Sequence, residues 1–590
     1  MSNIFLATTA LEDFWDTSLP IVFLGEWCKR YSRRAFWQKL DGQTVLDPWT
    51  NGRKIEEDSR QVKTLYEKTL SHLTQSLNRL HGINASNRYW RILLGPWLLD
   101  YLPAIHNGMV ILKAAKSQFP DLTTILLAKE SFITPRNSLE FDSLISEDIY
   151  NLQLYTKILS FLGGDFPEKK KKLGSQFPGA QGPSILCKQM NVRWWARQFL
   201  KKMSRIFNNA PAVILVNSYF SRPTMVRLSF KSRGLVWPLF QESIEAPYLP
   251  LETDKRRRLM DGFLASSELE HLMAQTLPED LPQSFVEAFQ YLKKTVEEQY
   301  PRTPNVIFSA NAWHHTDDFK QWAASQAEAG TLLVGAQHGG NYGSLLHHPS
   351  EEHELAILDR FYSWGWKNGS HKIKPFVSTK LTAIKKMKAD SEEKSILFVT
   401  TGQSRYPLSL SNNSPTQFSH YFSWQSRFLK SLSPSLRRQI RLRPHYVDYG
   451  WDVKERWKEM LPEVSVENWS IPFLKSLKKC RLYVCDHLST TFIEALAAEK
   501  PTILFWDFDV NPLRPEAQPF YDALCSVNVL HRSPESAGKH LTSVYHDVPS
   551  WWNSPQCLKV RQEFCRGFAR TSGNAVQIWA DEFNQMRQAL

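Results

Sequence analysis

Residues Cys480 to Phe508, CRLYVCDHLSTTFIEALAAEKPTILFWDF, spell a strand, a hydroxyl-rich turn, a helix and a second strand, the succession of an α/β sheet. Leu482 to Cys485 form a short apolar run suited to a buried parallel strand. Phe492, Ala495, Leu496 and Ala497 recur with the period of a helix packed on that sheet. Between them, Ser489, Thr490 and Thr491 set hydroxyls and backbone N–H groups at a helix N-terminus, where an anion can be held. The same residues also read as a simple N-cap, with Glu494 closing a capping box.

Other strand ends decide how much weight the phosphate reading can bear. Ser395 to Thr400 is a strand leading into Thr401-Gly402-Gln403-Ser404, Gln417 to Leu432 is a helix, and Ile440 to Arg443 is a strand running into Pro444-His445. Polar residues thus gather at the carboxyl ends of successive strands, the edge where open α/β sheets bind ligands. Arg443 and His445 are candidates for a phosphate held from the other side by Ser489, Thr490 and Thr491, with Glu494 on the ribose hydroxyls. A surface turn is the competing reading of Arg-Pro-His.

The first half has a looser version of the same alternation. Ile4 to Thr8 reads as a strand followed by a helix from about Leu11, and Ile21 to Leu24 as a strand ending in Gly25-Glu26-Trp27-Cys28. Residues 55–160 are mainly helical in pattern, with a strand-like interruption at Leu122 to Leu127, and 163–183 read as an exposed Gly-, Pro- and Lys-rich loop. Strands return at Ala212 to Val216, Val306 to Ser309 and Leu332 to Ala336. The last enters Gln337-His338-Gly339-Gly340-Asn341-Tyr342-Gly343, where paired glycines let backbone approach a ligand and His338 stands at the tip. Glu26 is the best-placed carboxylate for a general base; Glu12 and Asp13 also read as surface caps. Asn311, His314, His315, Asp317 and Asp318 invite a metal reading, but neighbours in sequence cannot easily share one ion, and no metal site is expected. The charge-dense stretch Lys385 to Lys394 suggests a boundary, giving domains 1–385 and 386–590.

At 590 residues the chain is too long for one core, and 42% hydrophobic content supports globular packing. A net charge of +13 points to an anionic partner, but clusters such as Lys169 to Lys172 and Lys255 to Arg258 form no nucleic-acid module, so no nucleic acid is expected. Seven cysteines without a C-x-x-C pair exclude a disulfide framework or a zinc ribbon. The N-terminus lacks a signal-peptide pattern, and the apolar run Ile92 to Ala115 is broken by Asp100, His106 and Asn107, as in an interior helix. A cytoplasmic protein is expected, with basic patches that could rest on the inner membrane.

FLATT and GEWC at the start, AQHGGNYG in the middle and DHLSTTFIEALAAEKPTILF near the end together resemble a family of O-antigen and surface-polysaccharide transferases of the GT-B glycosyltransferase class. The Gln-His-Gly turn and the Ser/Thr-rich turn before a Glu-bearing helix are similar to those of capsule and lipopolysaccharide transferases that use CMP-activated Kdo or nonulosonic acids. The resemblance implies a GT-B-like α/β fold: two Rossmann-like domains facing a central cleft, with a helical insertion in the N-terminal half. It further implies a glycosyltransferase without cofactor, a nucleotide-sugar donor and a glycan or lipid-linked glycan acceptor. By the same resemblance, Gln337, His338 and Gly339 sit at the central cleft and Ser489, Thr490 and Thr491 on the donor phosphate. His338 and Glu26 are expected as the catalytic pair. One departure is that Pro444 precedes His445 instead of following it. A CDP-polyol phosphotransferase, a nucleotide-sugar epimerase and a non-catalytic glycan- or nucleotide-binding protein are the alternatives.

Overall fold

The computed structural model describes residues 4–40, 42–49, 52–171, 213–240, 243–387, 393–408 and 418–588. Lys172, Cys187 and the part of the expected 163–183 loop beyond residue 171 lie outside the described residues. Two compact units are present: Met1–Val216, Trp237–Leu333 and Ser404–Thr416 form the first, and Asn217–Val236, Val334–Gln403 and Gln417–Leu590 the second. The position expected as a boundary, 385/386, falls inside the second of these units, and the division at 333/334 falls within the strand Leu332–Ala336.

In the first unit, β1 (Ile4–Ala7), β2 (Ile21–Phe23), β3 (Gln43–Thr44) and β4 (Leu122–Thr123) form a parallel sheet in the order β3-β2-β1-β4. Phe5, Leu6, Val22 and Phe23 are buried, as strands of a covered parallel sheet require. The helix expected from Leu11 is only a 3₁₀ turn, Glu12–Phe14, because the indole N–H of Trp15 donates to the Thr9 carbonyl at 2.9 Å and folds the segment back. The expected strand Leu122 to Leu127 is split: Thr124 turns inward to donate to the Leu6 carbonyl at 2.7 Å, and pairing resumes only at Leu126–Leu127.

Long helices carry most of this unit. α1 (Gly52–His81) packs on α2 (Asn87–Gln118), whose N-cap Ser86 accepts from the Tyr89 N–H. Residues from Trp90 to Ala115 are buried on nearly every side of α2, so its apolarity is that of an interior helix. No described helix is long and apolar enough to cross a membrane. α3 (Asp148–Phe161) and α4 (Glu268–Asp280) meet around fully buried Asp280, which accepts from Lys157 Nζ at 2.8 Å and from the hydroxyls of Tyr101 and Tyr150. β5 (Val213–Val216) and β6 (Val306–Ser309) pair in parallel, and the latter leads to α5 (Asp317–Glu328).

The second unit opens its strands with β7 (Leu332–Ala336), which pairs in parallel from Val334 onward with β8 (Arg360–Ser363), itself beside β9 (Ile373–Pro375). Helix α6 (Pro349–Ile357) connects β7 to β8. The main sheet contains β10 (Ile396–Val399), β11 (Ile440–Arg443), β12 (Ser465–Val466), β13 (Leu482–Cys485), β14 (Thr502–Phe505) and β15 (Leu530–His531). Its order, β12-β11-β10-β13-β14-β15, is all parallel and is that of the doubly wound dinucleotide-binding sheet, with the chain reversal between β10 and β13. α7 (Phe418–Ser431) follows β10, and α8 (Thr490–Ala497) follows β13. The α/β class with parallel sheets read from the sequence is therefore the one observed.

Candidate functional site

A cavity of about 380 Å³ opens at the carboxyl ends of β10 and β11. Thr401, Gly402, Tyr421, His445, Tyr446 and Trp451 are among the residues that line it. Phe418 stacks on Trp451 with ring centroids 3.9 Å apart and planes 3° from parallel, giving one wall an aromatic face. Gly402 is required there: a Cβ would lie 2.6 Å from Nδ1 of His445. Burial lowers the pKa of His445, so the ring facing the cavity is neutral near pH 7.

The reversal point lies next to this cavity and is joined to it by side chains. The Thr401 N–H donates to the Tyr421 hydroxyl at 2.9 Å, and that hydroxyl donates to Asp486 Oδ1 at 2.8 Å. Gln425 holds the other oxygen of Asp486, and Nδ1 of His487 is 2.8 Å from Oδ1. Burial alone would lower the pKa of His487, but the Cys485 sulfur and the Asp486 carboxylate outweigh it and raise the value to about 10. A cationic imidazole thus stands in the loop that starts α8.

At the start of α8, Ser489 occupies the N-cap with extended backbone, yet its side chain makes no capping bond. Its hydroxyl lies 2.8 Å from that of Thr491, which also accepts from Tyr483 at 2.9 Å. Thr490 accepts from the Gly340 N–H at 3.1 Å. The capping box with Glu494 does not form; Glu494 is instead 3.0 Å from Lys380 Nζ. Gly340, and not Gly339, is the glycine that close approach demands. Its Cβ would lie 2.1 Å from the Ser489 carbonyl oxygen, whereas a Cβ on Gly339 would be 3.4 Å from the Tyr342 ring. The His338 turn is thereby seated on the turn before α8, in the same unit.

Within that turn, Gln337 is buried and serves as a clamp. Its Oε1 accepts from the Trp364 N–H and the Trp366 indole at 2.7 and 2.8 Å, and its amide donates to the Gly339 carbonyl. His338 is partly exposed, with its Nε2 2.7 Å from the Tyr342 hydroxyl and 3.2 Å from buried Glu354. The Tyr219 ring lies parallel to His338 at 6.4 Å, and Lys380 sits over the other ring neighbour of the pair, Tyr219, at 5.4 Å. Tyr219 adopts φ of 62°, a left-handed conformation that costs a non-glycine residue about 1 kcal/mol or more and often marks functional sites.

Arg443 departs from the phosphate role read in sequence. It is almost wholly buried, pairs with Glu467 at 3.0 Å and stacks on Trp469 at 4.2 Å, so its charge is committed inside the unit. Glu26 belongs to the first unit, where it pairs with Lys29 at 2.6 Å and is partly exposed. Asp317 and Asp318 are structural: the first pairs with Lys320, and the second accepts from the Ile244 N–H and the Tyr300 hydroxyl. Sequence reading gave no role to Tyr219, Glu354, Lys380, Tyr421 or His487. Only His487, beside the Ser/Thr turn, carried a local signal; the others reach the site from distant segments.

No curated protein matches the chain. Solved structures with similarity include MurG of Acinetobacter baumannii, at 10% identity and a TM-score of 0.32, covering 64% of this chain and 100% of that one. The glycotransferase of kitacinnamycin matches at 12% identity and a TM-score of 0.34, covering 64% and 99%. WaaG, a glycosyltransferase involved in lipopolysaccharide biosynthesis, matches at 11% identity and a TM-score of 0.30, covering 63% and 99%. The family model of the LIC12162 family transferases matches residues 4–583, and the chain belongs to that family.

Proposed function

We propose that this transferase is a glycosyltransferase whose donor nucleotide lies on the second unit, in the cavity at the carboxyl ends of β10 and β11. That cavity is the observation that carries the reading. It adjoins the reversal of a doubly wound sheet, where such sheets take ligands, and its Phe418–Trp451 wall suits a nucleobase. In this reading His445 faces the nucleotide, Ser489, Thr490 and Thr491 hold the donor phosphate, and Glu494 reaches the ribose. Gln337 and Gly339 shape the turn that presents His338, and Arg443 supports the β11 loop from within.

An acceptor hydroxyl oxygen bonds to the anomeric carbon, and the sugar–phosphate C–O bond breaks with its electron pair leaving on the nucleotide. The hydroxyl proton passes to His338, with Glu26 of the first unit as the second candidate. Negative charge developing on the leaving phosphate meets the N-terminal dipole of α8 and the cationic His487. The finer reading is a CMP-linked Kdo or nonulosonic acid donor and a surface glycan or lipid-linked acceptor at the inner membrane surface. It is supported by the Gln-His-Gly and Ser-Thr-Thr turns and by the net charge of +13. The test is a product assay with CMP-, CDP-, UDP- and GDP-linked donors. Sugar transfer with CMP release is expected; turnover confined to UDP or GDP donors overturns the CMP reading, and turnover of a CDP-polyol alone overturns glycosyl transfer.

A further inference from the structure

We propose that the outward face of the helix Arg222–Lys231 rests on an anionic lipid bilayer, with Val226 and Phe230 in the headgroup layer and the flanking cations on lipid phosphates. The proposal deepens the reading of an acceptor at the inner membrane surface, and rests on that reading only for what the surface presents to the enzyme. The helix belongs to the second unit and starts from N-cap Ser221, whose hydroxyl accepts from the Thr224 N–H at 3.3 Å. Leu228 marks its inward side: it is fully buried, and the helix packs on the helix Ala575–Gln588, where Lys231 Nζ donates to Gln577 Oε1 at 2.6 Å. A surface helix with one side buried is expected to be polar on the other. This one carries a second apolar stripe. Val226 and Phe230, one turn apart and away from Leu228, are 55% and 81% exposed.

Charge decides what covers that stripe. At about 100° per residue, Arg222 lies to one side of the apolar pair and Arg227 to the other, and Arg233 follows the last turn. All three arginines are exposed, and no acidic residue occurs from Asn217 to Phe240, so the face is positive along its length. A polyanion in solution satisfies the arginines but leaves Phe230 in water. A second copy of the chain covers Phe230 but sets like charges against one another. An anionic bilayer accepts both features: basic side chains meet lipid phosphates, and the apolar pair enters the boundary between headgroups and acyl chains. The placement also suits a lipid-linked acceptor. Ser221 follows closely on Tyr219, whose ring lies parallel to that of His338 at 6.4 Å, so the chain runs from beside the proposed base straight into the docking helix.

The test is sedimentation of the full chain with vesicles of phosphatidylcholine alone and of phosphatidylcholine mixed with phosphatidylglycerol. Binding to the mixed vesicles is expected to be about tenfold or more tighter than to phosphatidylcholine, and to weaken as salt rises. The triple substitution Arg222→Gln, Arg227→Gln, Arg233→Gln should weaken it about 100-fold, at about fivefold per charge. The double substitution Val226→Ser, Phe230→Ser should weaken it about tenfold, while binding of soluble polyphosphate stays as in the wild type. All five side chains are exposed, and thermal melts check folding; Arg227→Gln and Phe230→Ser alone replace any set that does not fold, with the same directions expected. Absence of binding by the wild type, or binding that neither set weakens, overturns the proposal. Loss in the arginine set with none in the apolar set assigns the face to a soluble polyanion and overturns the bilayer. No turnover enters the assay, so failure of the glycosyltransferase reading leaves vesicle binding standing, and failure of vesicle binding leaves the donor reading standing.

Discussion

At the scale of single residues, two neighbouring glycines have different standing. A Cβ at Gly340 meets the Ser489 backbone at 2.1 Å, and neither partner is a side chain that can swing away. Gly340→Ala should cost about 1–3 kcal/mol, the range for forced overpacking, and also weaken nucleotide binding by shifting the turn before α8. Gly339→Ala should do little of either, and thermal melts with and without nucleotide separate the two. His487 gives a pH signature. Its folded pKa is raised from 6.5 to about 10, so its contribution to stability is complete below 6.5 and is lost as pH rises through about 10. The stability gap between wild type and His487→Gln should be widest below pH 6.5, shrink as pH rises above it and close toward pH 10. A gap that widens with rising pH would show that His487 is neutral in the fold.

At the scale of elements, the turn before α8 is where stability and binding can be separated. Ser489 caps nothing through its side chain, so Ser489→Ala should change stability by less than the ~1 kcal/mol typical of a lost N-cap. If its hydroxyl meets a phosphate, the same substitution should weaken nucleotide binding about tenfold, since hydrogen bonds to charged groups contribute about 1.5–3 kcal/mol. A stability loss with unchanged affinity would restore the plain cap reading. Much of this element was legible, because β13, the turn, α8 and β14 differ in period and composition over a few residues each. Val306–Ser309 and Ile440–Arg443 were legible in the same way. Leu11 was not: a tertiary bond from Trp15 to Thr9 overrides the local helical pattern. Glu494 was misread as a capping partner because Lys380, which holds it, lies more than a hundred residues away in sequence.

At the scale of the whole molecule, the His338 turn goes with the second unit. What assigns the His338 turn to that unit is packing such as Gly340 on Ser489, which leaves no mark in local composition. The consequence is that His338, the α8 turn and the cavity at β10 and β11 all belong to one unit. The central claim is that this unit binds the donor nucleotide at the carboxyl edge of its main sheet. Hydrogen–deuterium exchange of the full chain at saturating CMP, with UDP and GDP in parallel, tests it most directly. Protection is predicted in the loops 400–403, 444–453 and 486–492. Nucleotide-induced protection confined to the first unit, or none from any of the three nucleotides, would contradict the account.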